Sequence, residues 1–225
     1  MNKQQQDLNK QKAARMALEF IQVGCVLGVG TGSTTNYFID ELPRLKGKIE
    51  VCISSSSETT RRLKAIGLHV VDLNTVSNID VYVDGADEVD PDKNLIKGGG
   101  AALTFEKVLA TAAKNFVCIV DELKCVDHLG RFPLPVEVLP MARSFVAREL
   151  VKLTQGQPLL RPNVITESGN LILDLLNPQI HNPNPFESLV QSLPGVVEVG
   201  LFAQRRPDHL LIGRTSTSID SLLQS

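Results

Sequence analysis

Three short segments of this chain combine glycines with carboxylates, hydroxyls or a lysine. They are Gly28–Thr35 (GVGTGSTT), Asp84–Glu88 (DGADE) and Lys97–Ala101 (KGGGA). Each follows or adjoins an apolar, strand-like run, and the loops at the carboxyl ends of strands line the ligand crevice of an open α/β sheet. The sequence therefore predicts that backbone amides, carboxylates and one lysine surround a single small polar molecule.

The first glycine loop has the composition of a phosphate site. A strand, then small residues, then a helix would expose backbone N–H groups and the positive end of the helix dipole, and Ser33, Thr34 and Thr35 add hydroxyl donors. The dinucleotide fingerprint G-x-G-x-x-G is incomplete because Ser33 replaces its third glycine, and no Gly-Lys-Ser/Thr completes a Walker A loop. A tight strand-to-helix turn that simply requires glycine is the alternative interpretation.

The acidic turn places two carboxylates, Asp84 and Asp87, directly after a buried strand. Two acids on one sharp turn can face the same pocket, where one of them can carry a proton. A metal site would use the same acids together with Glu88, Asp90 and Asp92. The spacing does not match the calcium loop D-x-[DN]-x-[DN]-G, and H-E-x-x-H is absent. A solvated acidic turn remains the alternative.

The third segment joins Lys97 to the consecutive glycines Gly98–Gly100. Consecutive glycines lose much backbone entropy on folding, so this loop is expected to need unusual dihedral angles or a close backbone approach. A lysine beside it supplies a point charge for an oxyanion or a phosphate. Glu106 follows in the first turns of the next predicted helix, where an ordinary acid that interacts with the helix dipole is the alternative interpretation.

Short apolar runs that alternate with helical patterns predict an α/β fold, a Rossmann-like, mostly parallel sheet with helices on both faces. The predicted strands are 25–29, 49–53, 69–73, 79–83 and 116–120, and 209–213 is expected to return to the same sheet. Helices are predicted over 8–22, after each glycine loop, and before Gly67, which would follow a helix end.

The pattern changes after residue 130, where the predicted order becomes β-α-β-β-α-β. The strands are 133–139, 159–165, 171–176 and 196–202, with a hairpin turn at 167–170 and a helix that Pro185 opens. This order is that of a ferredoxin-like unit. We therefore expect a Rossmann-like catalytic domain from 1–130 and 207–225, and a smaller ferredoxin-like α+β domain from 131–206.

The bulk properties favour a soluble protein of the cytoplasm. A net charge of −2 gives no electrostatic reason to expect nucleic acid or an anionic membrane as a partner. The four cysteines lack CxxC spacing and are expected to be thiols, and the four histidines are scattered without ligand spacing. Residues 1–15 are polar with no apolar signal region, and no run is long enough to span a bilayer.

Taken together, the motifs resemble the type A ribose-5-phosphate isomerases over nearly the whole chain. The matching segments are Gly28–Thr34, Tyr82–Glu88, Ile96–Thr104 with Glu106 and Lys107, Phe132–Val138, Gly195–Val197 and Gly200–Ala203. The resemblance implies interconversion of D-ribose 5-phosphate and D-ribulose 5-phosphate in the non-oxidative pentose phosphate pathway. It also implies no metal or organic cofactor and a homodimer or a larger assembly such as a tetramer.

The resemblance also implies residue roles. Glu106 would be the general base that moves a proton between C1 and C2 through an enediol(ate), and Asp84, Asp87 and Lys97 would handle hydroxyl protons, ring opening and the oxyanion. The implied substrate contacts are Thr31, Gly32, Ser33, Thr34, Asp84, Gly85, Ala86, Asp87, Lys97, Gly98, Gly99, Gly100, Lys124 and Lys10. Phe105 departs from the family, in which an arginine is common, and would change how the start of the Glu106 helix packs.

Three other functions share the predicted fold. A nicotinamide dehydrogenase is disfavoured by the incomplete fingerprint and by Ser54–Ser57, which stand where a ribose-binding acid is expected. A sugar-phosphate sensor that regulates transcription would need a DNA-binding module, and the segment before Cys25 is expected to be too short for one. Acyl transfer on a related fold is the third alternative.

Overall fold

The computed structural model describes residues 2–215 and 220–222. The chain forms two compact units. The first consists of Met1–Gly85, Val108–Lys124 and Pro207–Ser225, and the second of Ala86–Lys107 and Cys125–Arg206. The division into domains at 131 and 206 stays a prediction.

The described secondary structure comprises thirteen strands and six α-helices in the following chain order. The helices are α1 Lys3–Met16, α2 Ser33–Glu41, α3 Ser57–Ala65, α4 Leu103–Ala112, α5 Arg143–Thr154 and α6 Pro183–Gln191. The strands are β1 Cys25–Val29, β2 Ile49–Ser54, β3 Ile79–Asp84, β4 Glu88–Val89, β5 Leu95–Ile96, β6 Ala113–Asp121, β7 Leu134–Val138, β8 Gln157–Leu160, β9 Leu171–Leu176, β10 Val196–Val199, β11 Leu201–Phe202, β12 His209–Gly213 and β13 Asp220–Leu222.

The first unit is built on one six-stranded sheet with the order β13-β12-β6-β3-β1-β2. All neighbouring pairs are parallel except β12 with β13, so the predicted mostly parallel sheet is confirmed. Its central strands are apolar on both faces because helices cover both sides. Leu27, Val83 and Ile119 form the centre of this core, and Phe38 of α2 packs with them.

The second unit holds two small antiparallel sheets. The four-stranded sheet has the order β10-β7-β9-β8, and α5 and α6 occur at the two crossovers of its β-α-β-β-α-β chain order. This is the ferredoxin-like arrangement that the sequence predicts. The other sheet joins β4, β5 and β11. It places Lys97 directly after β5 and next to Gly200, which precedes β11.

The predicted strand over 69–73 is wrong. Val70 forms only an isolated bridge with Cys52, and Leu73–Thr75 is a 3₁₀ helix. Asp72 caps that helix, because its side chain accepts a hydrogen bond from the Asn74 amide at 2.8 Å. Backbone hydrogen bonds pair His69 and Val71 with Cys52, and the Asp72 cap follows directly after this short pairing.

Three further predicted elements have different bounds. The helix predicted over 8–22 begins at Lys3 and ends at Met16, where a 3₁₀ helix, Ala17–Phe20, follows. The run 159–165 is strand only to Leu160, because Pro162 lacks an amide donor and Asn163 has a positive φ of 57°. The run 196–202 is two strands in different sheets, separated at Gly200.

Within the described part of the chain, no helix combines the length and the apolar character that crossing a membrane requires.

The four cysteines are thiols, and only Cys125 is exposed. Burial raises the pKa of Cys25 to about 11, with a further contribution from nearby Asp80. Burial likewise raises the pKa of Cys52 to about 12. A thiolate is the reactive form, so these two groups are unreactive near neutral pH.

We therefore expect a chromogenic disulfide reagent at pH 8 to modify one thiol rapidly in the native protein and all four thiols after denaturation. The Cys125→Ser variant is the control, and its native form should lack the rapid phase. Rapid modification of a second thiol in native protein would contradict the burial of the other three.

Candidate active site

In the first unit, Asp84 is a fully buried carboxylate at the carboxyl end of β3. Its Oδ1 accepts hydrogen bonds from the Thr31 amide at 3.1 Å, the Gly85 amide at 2.7 Å and Thr35 Oγ1 at 3.3 Å. Tyr82, two residues earlier on the same strand, donates its hydroxyl to Oδ2. Buried carboxylates require such donors, and these donors tie the acid to the first glycine loop.

Gly30 is one position at which that loop requires glycine because of close packing. A Cβ at residue 30 would lie 1.8 Å from Asp84 Cγ, which no side chain could accommodate without movement of the loop or the acid. The Gly30 amide donates to Val83 O at 2.9 Å, so the loop is bonded along β3 as well. The glycine at residue 30 therefore reflects close packing on a carboxylate.

The side chain of Thr31 belongs to a cluster of hydroxyl groups. Thr31 Oγ1 donates to Ser56 Oγ at 2.7 Å and lies 2.9 Å from Ser55 Oγ. Thr59 Oγ1 completes the cluster and donates to Gly30 O at 2.8 Å. The cluster connects the turn after β2 with the glycine loop, so the Thr31 hydroxyl has a structural role in this arrangement.

The N-terminus of α2 has the features of an anion site. Gly32 is its N-cap, with a φ of 146° and no side chain to accept hydrogen bonds from the first turn. Ser33 is exposed and Thr34 is buried at the start of the helix. Amides at a helix start and the helix dipole favour a negative group. The loop that the sequence singled out for phosphate therefore has suitable geometry.

Lys10 and Lys124 are positioned by contacts between α1 and the segment after β6. Asn9, which precedes Lys10, donates from Nδ2 to Glu122 Oε1 at 3.1 Å, and Lys124 ends the same 3₁₀ helix as Glu122. Hydrogen bonds from Thr215 and Asn9 lower the pKa of Glu122 below its ordinary value. Lys10 Nζ itself lies 4.0 Å from Asp7 Oδ1 on α1. Both lysines thus belong to the first unit and lie near the carboxyl end of β6.

In the second unit, Lys97 and Glu106 form a buried ion pair. Lys97 Nζ lies 3.2 Å from Glu106 Oε2, and the two side chains are 2% and 3% exposed. Removing two charges from water is expensive, and a buried pair is therefore weak evidence for a stabilising role. A carboxylate and an ammonium group that face each other in a dry environment are suited to proton transfer and to stabilising a developing negative charge.

Backbone and aromatic contacts hold Lys97 in place. Its amide donates to Gly200 O at 2.8 Å, and the Gly200 amide donates to Pro135 O at 2.7 Å. Its ammonium group lies 5.5 Å from the ring centroid of Phe202, a fully buried side chain. An ammonium group near an aromatic ring is attracted to the negative face of the ring, and the attraction is larger away from water.

Lys107 anchors the start of α4, which carries Glu106. Its Nζ donates to Glu187 Oε1 at 2.8 Å, to Val199 O at 2.7 Å and to Leu201 O at 2.8 Å. Glu198 Oε1 lies 2.9 Å from the same nitrogen. These acceptors fix the first turns of α4 against β10 and β11, and the position of Glu106 is thereby set.

Asp87 and the triple-glycine loop also contact each other. The Gly99 amide donates to Asp87 Oδ2 at 2.8 Å, and a Cβ at residue 99 would lie 2.8 Å from Asp87 Oδ1. Gly98 has a φ of 105°, and Ala101 adopts a φ of 61° despite its side chain. The expectation of unusual dihedral angles and close approach in this loop is thus confirmed.

The metal interpretation of the acidic turn finds no support among residues 2–215 and 220–222, where no group of His, Cys, Asp or Glu side chains could hold an ion. Glu88 accepts hydrogen bonds from the Gly130 and Phe132 amides, at 2.8 and 2.6 Å. Asp90 accepts from the amide and side chain of Asn94 in its own turn. These carboxylates therefore have structural contacts.

Several residues that shape these two clusters escaped the sequence analysis as site residues. The sequence singles out Tyr82 only as part of a segment that resembles the family, and Ser55 and Ser56 only as part of a turn without a ribose-binding acid. It gives no reason to single out Thr59. Ser55, Ser56 and Thr59 share one signal, which is a run of hydroxyl residues after β2. Phe105, by contrast, is 39% exposed and is no part of the packed core.

Comparison with known proteins shows similarity along the whole chain. A family model described as ribose 5-phosphate isomerase A (phosphoriboisomerase A) matches residues 51–217. The crystal structure of ribose 5-phosphate isomerase A from Neisseria gonorrhoeae is 42% identical, with 98% of each chain covered and a TM-score of 0.94. Its counterpart from Methanocaldococcus jannaschii is 34% identical, with 96% of this chain and 98% of that chain covered and a TM-score of 0.89.

A third similar structure is that of a D-ribose-5-phosphate isomerase in complex with phospho-erythronic acid. It is 38% identical, with both chains covered completely and a TM-score of 0.92.

The contact between Gly30 and Asp84 leads to a stability prediction. We expect Gly30→Ala to lower the free energy of unfolding by roughly 1–3 kcal/mol, the usual range for overpacking a filled site. The control is Gly47→Ala, because a Cβ at residue 47 would meet nothing within 4 Å. Urea unfolding of both variants measures the difference, and equal stabilities would contradict the close packing of the loop on the carboxylate.

Proposed function

The chain belongs to the ribose 5-phosphate isomerase A family and is an isomerase of that class, and we propose that Glu106 is its catalytic base. In this proposal the protein interconverts D-ribose 5-phosphate and D-ribulose 5-phosphate through an enediol(ate), as a step of the non-oxidative pentose phosphate pathway. The observation that carries the proposal is the buried pair of Lys97 and Glu106.

The chemistry of an aldose–ketose shift matches what this pair offers. The reaction removes the proton from C2 of the aldose, next to the carbonyl, and returns it to C1. It needs a base for that proton, a donor for the oxygen that becomes negative, and exclusion of water. Glu106 supplies the carboxylate and Lys97 the positive charge, and both side chains are almost completely buried.

The remaining proton movements involve the sugar hydroxyls. As C2 loses its proton and C1 gains one, a hydroxyl proton must pass from O2 to O1. We assign this transfer, and ring opening, to Asp87 and Asp84 with help from Lys97. Asp87 is half-buried and its carboxylate is oriented by the Gly99 amide. Asp84 also maintains the first glycine loop through Thr31 and Thr35.

We assign the phosphate to the first unit. The start of α2, with Gly32, Ser33 and Thr34, offers amides and a hydroxyl, and Lys124 and Lys10 offer positive charge near the end of β6. The dipole of a helix start and a lysine charge together suit a dianion. Thr31 donates its hydroxyl to Ser56 and its amide to Asp84, so its proposed role in substrate binding is to shape the loop around the phosphate.

A relative binds phospho-erythronic acid, and the chemistry of that ligand supports the proposed enediolate site. That ligand is a phosphorylated four-carbon sugar acid, and its carboxylate resembles the two oxygens of an enediolate. A site that stabilises the intermediate should therefore bind such an acid well. We propose that this chain binds it in the same way, with Lys97 toward the carboxylate.

The alternatives explain less of the structure. In a nicotinamide dehydrogenase an acid would bind the ribose after β2, whereas Ser55 and Ser56 occupy that turn and bond to Thr31. A sugar-phosphate sensor or an acyl-transfer enzyme gives no reason to bury an ammonium–carboxylate pair beside a glycine loop.

We further propose a homodimer or tetramer in the cytoplasm. The family resemblance supports association, and the second unit exposes large apolar side chains such as Met141 and Ile165. The four cysteines, none of which forms a disulfide, support a reducing compartment.

The base assignment predicts that Glu106→Gln loses roughly 10²–10⁴-fold in kcat, since the amide cannot accept the C2 proton. Calorimetry should show that the variant still binds phospho-erythronic acid. The control Glu50→Gln changes an exposed glutamate on β2 and should leave turnover unchanged. Near-normal turnover of Glu106→Gln would refute the proposed base.

The phosphate assignment predicts that Lys124→Met raises the KM for ribose 5-phosphate roughly tenfold to a hundredfold, as expected for losing a charged hydrogen bond of ~1.5–3 kcal/mol. The kcat should change little, because the phosphate is bound equally in the ground and transition states. Lys48→Met, which alters an exposed lysine of the same unit, is the control. An unchanged KM in the Lys124 variant would remove this residue from the phosphate site.

A further inference from the structure

An arginine from the ferredoxin-like sheet holds the triple-glycine loop of the second unit. Arg161 Nη1 donates to Gly98 O at 2.9 Å and to Gly99 O at 3.2 Å. The same guanidinium forms a two-point contact with Asp174, since Nε donates to Oδ2 at 2.8 Å and Nη2 donates to Oδ1. We call Arg161 and Asp174 the loop clamp. Neither belongs to the site residues assigned above.

The clamp determines where two backbone amides point. In a planar trans peptide the carbonyl group and the following N–H point in opposite directions. Because both carbonyls are turned toward Arg161, the amides of Gly99 and Gly100 must be turned away from it. The Gly99 amide confirms this geometry, because it donates to Asp87 Oδ2 at 2.8 Å. The Gly100 amide is directed to the same side, and Gly100 is exposed.

Within the loop, the Ala101 amide donates to Gly98 O at 3.0 Å, and this turn bond leaves the direction of the Gly99 carbonyl to be set by contacts outside the loop. Three consecutive glycines leave the backbone free to rotate, and Gly98 and Ala101 both adopt positive φ angles. Asp174 lies on β9 directly opposite Pro135 of β7, and Pro135 contacts the position of a Cβ at residue 98. Arg161 is therefore held by a carboxylate on the sheet beneath the loop, and its planar donor fork has a fixed direction.

We propose that Arg161 and Asp174 are positioning residues for the isomerase reaction. They act through the loop: one amide orients the Asp87 carboxylate, and the Gly100 amide donates to the substrate oxygen that becomes negative in the enediolate. Fixed backbone donors of this kind stabilise a transition state more than a ground state. The inference rests on the proposed function, because it needs an oxyanion to form at this loop.

The first experiment compares steady-state kinetics of Arg161→Met, Arg161→Lys and Asp174→Asn with those of the unmodified protein. We expect Arg161→Met to lose about 10²-fold in kcat, as for one displaced oxyanion donor, with little change in KM. Arg161→Lys should recover part of that loss, because an ammonium can still donate to a carbonyl but cannot form the fork. The kcat of Asp174→Asn should lie between that of Arg161→Met and that of Arg161→Lys.

The matched control is Arg61→Met. Arg61 also makes a two-point contact with a carboxylate, Glu58, but on the exposed side of α3. Its loss should leave kcat and KM unchanged. Urea unfolding of all variants shows whether a kinetic defect simply follows a loss of stability.

A binding measurement separates positioning from a purely structural role. Calorimetric affinity for phospho-erythronic acid should fall in Arg161→Met by about the same factor as kcat/KM, whereas affinity for inorganic phosphate should not change. If both affinities fall together with stability, or if only KM changes, the clamp is structural and the proposal is overturned.

The outcomes also distinguish this inference from the function on which it rests. If the unmodified protein isomerises ribose 5-phosphate and Arg161→Met keeps its kcat, only the clamp proposal fails. If the unmodified protein has no such activity, the proposed function fails and the clamp proposal falls with it.

Discussion

The buried pair of Lys97 and Glu106 is the constraint on which the second unit depends. Two charged groups that are at most 3% exposed can persist only when the surrounding structure fixes both partners. Gly200 holds the backbone of Lys97, and Phe202 lies beside its ammonium group. Lys107 fixes the start of α4 through several oxygen acceptors.

In the first unit, too, a buried charged group is held by several fixed contacts. Its parallel sheet delivers Asp84 and the glycine loop to one edge, and the carboxylate then organises the loop through backbone and hydroxyl donors. The result is a helix start, that of α2, whose first turn has no side-chain cap. In the proposed function, anion recognition depends on the strand order and one buried acid, and proton transfer depends on the ion pair in the second unit.

Much of this arrangement was predictable from local patterns of the sequence. Where the prediction failed, the failure has a physical cause. Apolar runs located the parallel strands because burial on both faces leaves a clear signal, and glycine loops marked the segments with close approaches. The errors at 69–73 and 196–202 arose where Asp72 capped a turn and where Gly200 divided a strand between sheets. Glu106 stood out only through family resemblance, since an acid in a first helical turn is common. Arg161 and Phe202 act across long sequence separations, which leave no local pattern.

The contact between residue 30 and the carboxylate at the end of β3 also has an evolutionary consequence. Since a Cβ at residue 30 would lie 1.8 Å from Asp84 Cγ, residue 30 cannot become larger while Asp84 and the turn keep their present positions. Descendants of this sequence should inherit the two residues as a linked pair, and a natural homologue with a larger residue at one site should carry a compensating replacement at the other. Covariation of these two alignment columns would reveal a steric constraint that the two positions share and that single-site conservation scores overlook.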